Sequence, residues 1–115
     1  DGNFPVMSMG KNAQIIRMDG HGVPEILDAI LKVFPLDTYI EKPVNLMEVM
    51  PGDDVQTPIW DVYKKTVEKY DERGKNAIGE IERFKFYEET KTAYAVIATS
   101  EKALYANIML QKGVV

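Results

Sequence analysis

Residues 14–35 read QIIRMDGHGVPEILDAILKVFP, a strand, a turn and a helix in one short run. Gln14-Ile15-Ile16-Arg17 has the apolar, β-branched character of a strand, and Asp19-Gly20-His21-Gly22 supplies the turn chemistry that closes it. Pro24 then sits at a first helical position, where its missing N–H costs nothing. Ile26, Leu27, Ile30, Leu31 and Phe34 fall on one face of a 3.6-residue period, and Pro35 ends the helix.

Working outward, the same alternation returns. Residues 44–50, after Pro43, form a run of strand length that breaks at Pro51-Gly52-Asp53-Asp54. Thr57 reads as an N-cap with Pro58 at the first helical position, and Trp60, Tyr63, Val67 and Tyr70 share a face until Gly74 stops the run. Residues 78–84 are short and strand-like, and residues 84–91 make one or two helical turns carrying Glu88 and Glu89. Residues 94–98 and 108–110 read as two buried strands, ended by Thr99-Ser100-Glu101-Lys102 and by Gly113. Apolar strands alternating with amphipathic helices predict an α/β layered domain with a largely parallel sheet flanked by helices. Ligands of such sheets sit at the carboxyl ends of strands, so polar residues just after strand runs are the first site candidates.

The chain has 115 residues, 45% of them hydrophobic, enough for one core and too few for two domains of average size. No stretch approaches the roughly 18 apolar residues of a membrane span. A net charge of -4 leaves no dominant positive field for nucleic acid. Cysteine is absent, which removes disulfides, thiol nucleophiles and Cys-type zinc sites and fits a cytoplasmic location. Neither G-x-G-x-x-G nor G-x-x-x-x-G-K-[ST] occurs, so nucleotide cofactors lack a cradle. With one histidine, a zinc site would rest on carboxylates, an uncommon ligand set. Ser8 and Ser100 lie in no G-x-S-x-G elbow. Acid–base chemistry or plain binding remains.

Arg83-Phe84-Lys85-Phe86-Tyr87-Glu88, the stretch from Ala93 to Ile97, and Tyr105-Ala106-Asn107-Ile108-Met109-Leu110-Gln111-Lys112-Gly113-Val114 follow one another in that order. Earlier in the chain stand Asp1-Gly2-Asn3-Phe4-Pro5, Ser8-Met9-Gly10 and Ile16-Arg17-Met18-Asp19-Gly20. Together these segments resemble the L-fucose mutarotase family over nearly the whole chain. The related D-ribose pyranases share the Tyr-Ala-Asn segment but usually lack R-F-x-F-Y-E, so fucose is the preferred sugar and ribose the alternative. The resemblance implies an α/β fold without cofactor or metal, a small-molecule sugar as partner, and a homo-oligomer with sites at subunit interfaces. It implies that Asp1, Arg83, Tyr105, Ala106 and Asn107 hold the sugar. The family's expected proton donor is a His in an M-G-H-G-D motif ahead of the position of Asp1. That motif is not in this sequence, so residues 1–115 read as a single mutarotase domain lacking its N-terminal helix and strand, with the catalytic residue unknown. His21-Gly22 echoes the motif but follows Arg17-Met18-Asp19-Gly20, and the role is not transferred to it.

Mutarotation opens a cyclic hemiacetal and recloses it on the other face. A base takes the anomeric hydroxyl proton while an acid protonates the ring oxygen. Asp1 can accept from sugar hydroxyls, Arg83 can donate in a fixed fork, Asn107 can do both, and Tyr105 can donate, accept or relay a proton. A non-catalytic sugar-binding protein is the alternative from a different class. Read without the resemblance, Arg83 is a solvated or ion-paired arginine, Tyr105 and Asn107 are turn and packing residues, and His21, in a Gly-flanked turn, is structural or solvent-exposed. Trp60, Tyr63, Val67 and Tyr70 read as core or subunit contact, Glu88 and Glu89 as a solvated face, and Asp53-Asp54 as loop.

Overall fold

The structure, a computed structural model, describes residues 13–114. Strand β1 (Gln14–Met18) opens it, and helix α1 (Val23–Leu31) follows the turn. Pro24 lies in the first turn of α1, as the sequence predicts, but the helix stops three residues short of Phe34. Pro35 disfavours helical backbone at the residue before it. The chain leaves through bonds from Lys32 N–H to Asp28 O and from Val33 N–H to Ile30 O. Phe34 still packs against the core from outside the helix.

Strand β2 (Val44–Met47) is shorter than the apolar run that contains it. Past its end, Glu48 N–H still reaches Ile81 O at 2.8 Å, and the chain then turns at Gly52, whose φ of +90° favours glycine. Helix α2 (Pro58–Tyr70) starts at the expected proline. Thr57 occupies the N-cap position, but its side chain makes no capping bond. A short 3₁₀ turn (Gly74–Ala77) leads into β3 (Ile78–Ile81). Helix α3 (Arg83–Thr90) comes next because the Glu82 side chain caps it, accepting from the N–H groups of Phe84 and Lys85. That cap is why the strand expected to run to Phe84 ends at Ile81. Strands β4 (Ala95–Thr99) and β5 (Ile108–Leu110) complete the described part.

The α/β layering is as predicted, with the strands in two sheets. β1 pairs β4 in parallel, Gln14 opposite Ala95 through Met18 opposite Thr99. The second sheet has the order β3-β2-β5, with β2 parallel to β3 and antiparallel to β5. The core lies between this sheet and the helices. Leu27 and Leu31 of α1, Val44 and Leu46 of β2, and Ile59, Trp60, Tyr63 and Val67 of α2 are all buried together. Burying each large aliphatic side chain contributes roughly 1.5–3 kcal/mol. Asp28 on α1 accepts from Tyr70 Oη at 2.9 Å and Lys69 Nζ at 3.1 Å on α2, tying the two helices at the rim.

The expectation that the last two strands are buried needs correction. Of β4 only Val96 is buried, and all of β5 is half-exposed. A three-residue strand beside an antiparallel partner presents one side to the core, and β4 has a single described partner, β1, which is exposed along its length.

Candidate functional site

β5 enters the sheet against the direction of its neighbour, so its first residue lies at the end where the parallel strands finish. Leu46 stands opposite Ile108, and Met47 opposite Ile81. Three segments therefore meet at one edge. They are the loop after β2, the start of α3 after β3, and residues 105–107 before β5. The rule that sites gather at carboxyl ends of strands locates this edge. The antiparallel strand adds the residues ahead of it.

Tyr105 is the centre of the cluster. Its φ of 54° places a non-glycine residue in the left-handed region, which is uncommon and held in place only by its surroundings. Two α2 side chains do the holding. Trp60 Nε1 donates to Tyr105 O at 2.8 Å, and Tyr63 Oη donates to Ala106 O at 2.6 Å. Burial, and to a lesser extent the charge of Glu101, pushes the Tyr63 phenol well above its ordinary pKa, so it stays a neutral donor. The Tyr105 phenol oxygen accepts from Met50 N–H at 3.2 Å and from Arg83 Nη2 at 3.3 Å, and donates to Asp53 Oδ2.

Arg83 begins α3, where the chain has just left β3. Its guanidinium lies over the Tyr105 ring, 5.6 Å from the centroid, within cation–π range. Arg83 Nε is buried and has no hydrogen-bond partner among the described residues. The arginine is thus oriented by a ring and a phenol and keeps donor capacity beyond both. Asn107 is half-buried and, with Ala106, borders a cleft of about 760 Å³ that β4, β5, α1 and α3 line.

Of the five residues expected to hold a ligand, Arg83 and Tyr105 are in direct contact here, while Ala106 and Asn107 follow Tyr105 in the chain and border the cleft, whose lining includes neither Arg83 nor Tyr105. Asp1 lies outside the described residues. His21 sits at the exposed end of β1, its Nδ1 3.0 Å from Glu25 Oε1 and its carbonyl accepting from Ser100 N–H, in keeping with a structural role. Asp53 is the residue that sequence reasoning passed over. Pro51-Gly52-Asp53-Asp54 looks like any turn, and its meeting with Tyr105, 52 positions away, leaves no local signal. Trp60 and Tyr63 were legible as a packed face, but not as the supports of residues 105 and 106. Among the described residues, no group of three or more His, Cys, Asp or Glu is arranged to hold a metal, and no helix is long and apolar enough to cross a membrane.

The fold is a small α/β arrangement with a hydrogen-bonded cluster at the end of its three-stranded sheet, built from a guanidinium, a phenol and a carboxylate. The chain belongs to the RbsD / FucU transport protein family, whose model matches residues 1–115. It is 46% identical over 118 residues to the fucose mutarotase of Homo sapiens, an alignment covering 99% of this chain and 75% of that one. The crystal structure of FucU from Bifidobacterium longum is similar over 100% of this chain and 80% of its own, with 65% identity and a TM-score of 0.95. The fucose mutarotase of Streptococcus pneumoniae, solved in complex with L-fucose, superposes with a TM-score of 0.83 at 44% identity, covering 89% of this chain and 71% of that one.

Proposed function

We propose that this protein is an L-fucose mutarotase, an isomerase that interconverts the α and β anomers by acid–base opening and closing of the sugar ring. The observation that carries this reading is the Arg83–Tyr105 pair beside Asn107 at the sheet edge, in a chain whose relatives are named for this activity. A sugar presents a ring of hydroxyls, each both donor and acceptor. Arg83 donates, Asn107 donates and accepts, and Tyr105 does either. Asp1 joins them in this reading as an acceptor, and Ala106 contributes backbone rather than side chain. The reaction runs through proton transfers and asks for neither cofactor nor metal.

A homo-oligomer with sites at subunit interfaces is part of the proposal. The exposure of Ile15, Ile16, Phe84, Leu104 and Val114 supports it, because apolar side chains of this size gain from a partner surface. A cytoplasmic location is supported by the absence of cysteine.

Saturation-transfer NMR of L-fucose tests the reading. Exchange between the anomers faster than in buffer alone is the expected result. Binding of L-fucose without faster exchange would instead mark a sugar-binding protein. Accelerated pyranose–furanose exchange of D-ribose, with none on fucose, would mark a pyranase.

A further inference from the structure

We propose that Asp53 is a positioning residue of this site, fixing the Tyr105 phenol so that its oxygen faces Arg83 and an incoming sugar hydroxyl as an acceptor. The proposal rests on the reading of the Arg83–Tyr105 cluster as the sugar site. It starts from a free choice that a tyrosine has and this one lacks. A phenolic O–H rotates between two in-plane positions, and which one it takes decides whether the oxygen offers a proton or lone pairs to a ligand. Here the proton is directed to Asp53 Oδ2. Met50 N–H and Arg83 Nη2 approach the same oxygen as donors, at 3.2 and 3.3 Å.

The loop that carries Asp53 is shaped for this grip. Asp53 N–H bonds back to Met50 O at 3.0 Å, and Gly52 at φ +90° allows the tight turn. One turn therefore presents both a donor, Met50 N–H, and an acceptor, the Asp53 carboxylate, to a single phenol. Closing β2 requires neither contact with Tyr105. The result is a chain of charged donor, phenol and charged acceptor, Arg83–Tyr105–Asp53, in which the two outer charges polarise the middle group in the same direction. A sugar hydroxyl that reaches Tyr105 takes over the contact with Arg83, the long one of the three, and Arg83 turns its freed donor to the sugar. Asp53 stays in place and keeps the phenol oriented.

The test compares Asp53→Ala, Asp53→Asn and the neighbouring Asp54→Asn with the parent protein, reading two quantities. The first is the 13Cζ resonance of Tyr105, which follows hydrogen bonding of the phenol whatever the protein's activity. The second is the rate of L-fucose anomer exchange, resolved into kcat and KM. Asp53→Ala is expected to move the Tyr105 resonance and to weaken sugar binding, raising KM about tenfold, the scale of losing one hydrogen bond to a charged group, with kcat changing by less than about threefold. Asp53→Asn keeps an acceptor oxygen in the same place and is expected to recover most of that loss. Asp54→Asn is expected to match the parent in both. An unmoved resonance in Asp53→Ala, or an unchanged KM, would overturn the proposal. If the parent protein itself fails to speed fucose exchange, the activity reading falls, and the Tyr105 resonance still decides whether Asp53 orients the phenol.

Discussion

The Tyr63 hydroxyl, on the buried face of α2, donates to the Ala106 carbonyl at 2.6 Å, so the backbone between Tyr105 and Asn107 hangs from the middle of the core. Replacing Tyr63 by Phe keeps the ring and removes the donor, leaving a buried carbonyl unpaired. Stability is expected to fall by about 1–3 kcal/mol, read by urea unfolding. Because burial, and to a lesser extent the charge of Glu101, raises the pKa of the folded phenol, the contribution of the neutral Tyr63 side chain is complete below the ordinary phenol value, about 10, and declines as pH rises beyond it. The gap between parent and Tyr63→Phe should therefore narrow in alkaline solution. A gap of constant size would argue that the buried phenol does not carry a raised pKa.

Arg73 binds the turn after α2 to the loop after α1. It donates to Asp71 from Nε and Nη2 at 3.0 and 2.9 Å, and to the carbonyls of Ile40 and Asp37 at 3.1 and 3.0 Å. Those hydrogen bonds hold the Asp71 carboxyl below the ordinary carboxylate range, against the opposing effect of burial. A depressed folded pKa contributes stability above the unfolded value, about 3.9, that is lost as pH falls through the folded one. Asp71→Asn is expected to cost about 1–3 kcal/mol at pH 7, and its deficit should shrink in urea titrations taken below about pH 4.

Gly113 lies where two backbones nearly touch. A Cβ there would stand 2.6 Å from Leu36 O and 3.0 Å from Leu36 C, while Gly113 N–H bonds Pro35 O at 2.7 Å. The obstacle is backbone and cannot rotate away. Gly113→Ala is expected to destabilise by about 1–3 kcal/mol in thermal or urea unfolding, the usual cost of forcing extra volume into a packed contact. An alanine variant as stable as the parent would mean that the 35–37 segment moves freely.

Arg83→Lys keeps the charge and loses the planar fork that both covers the Tyr105 ring and reaches its hydroxyl. Affinity for L-fucose, measured by NMR titration, is expected to drop about tenfold, with little change in unfolding temperature. Unaltered affinity would remove Arg83 from the sugar site.

Much of the element order was legible because it depends on local rules. Pro24 and Pro58 open helices where the sequence has them, and apolar spacing identifies the faces of α1 and α2 that the core buries. Boundaries were less legible where a side chain makes a bond that spacing does not reveal. Glu82 turns the chain from strand to helix by capping α3, and no hydrophobic period contains that information.

The sequence by itself determined the alternation of strands and helices and the stripe of Trp60, Tyr63 and Val67, and, through resemblance, it supplied the expectation that Asp1, Arg83, Tyr105, Ala106 and Asn107 hold a sugar. Those properties reside in residue type and near-neighbour spacing, which a linear chain displays. The tertiary structure alone decided that β5 runs antiparallel to β2. That orientation brings Tyr105 to the edge where β2 and β3 end, and so to Arg83 and Asp53. Strand direction is settled by which pairing buries the apolar faces while satisfying every backbone group, a balance over the whole molecule. For the same reason Asp53 reads as an ordinary loop residue in the sequence and as the partner of Tyr105 in the fold.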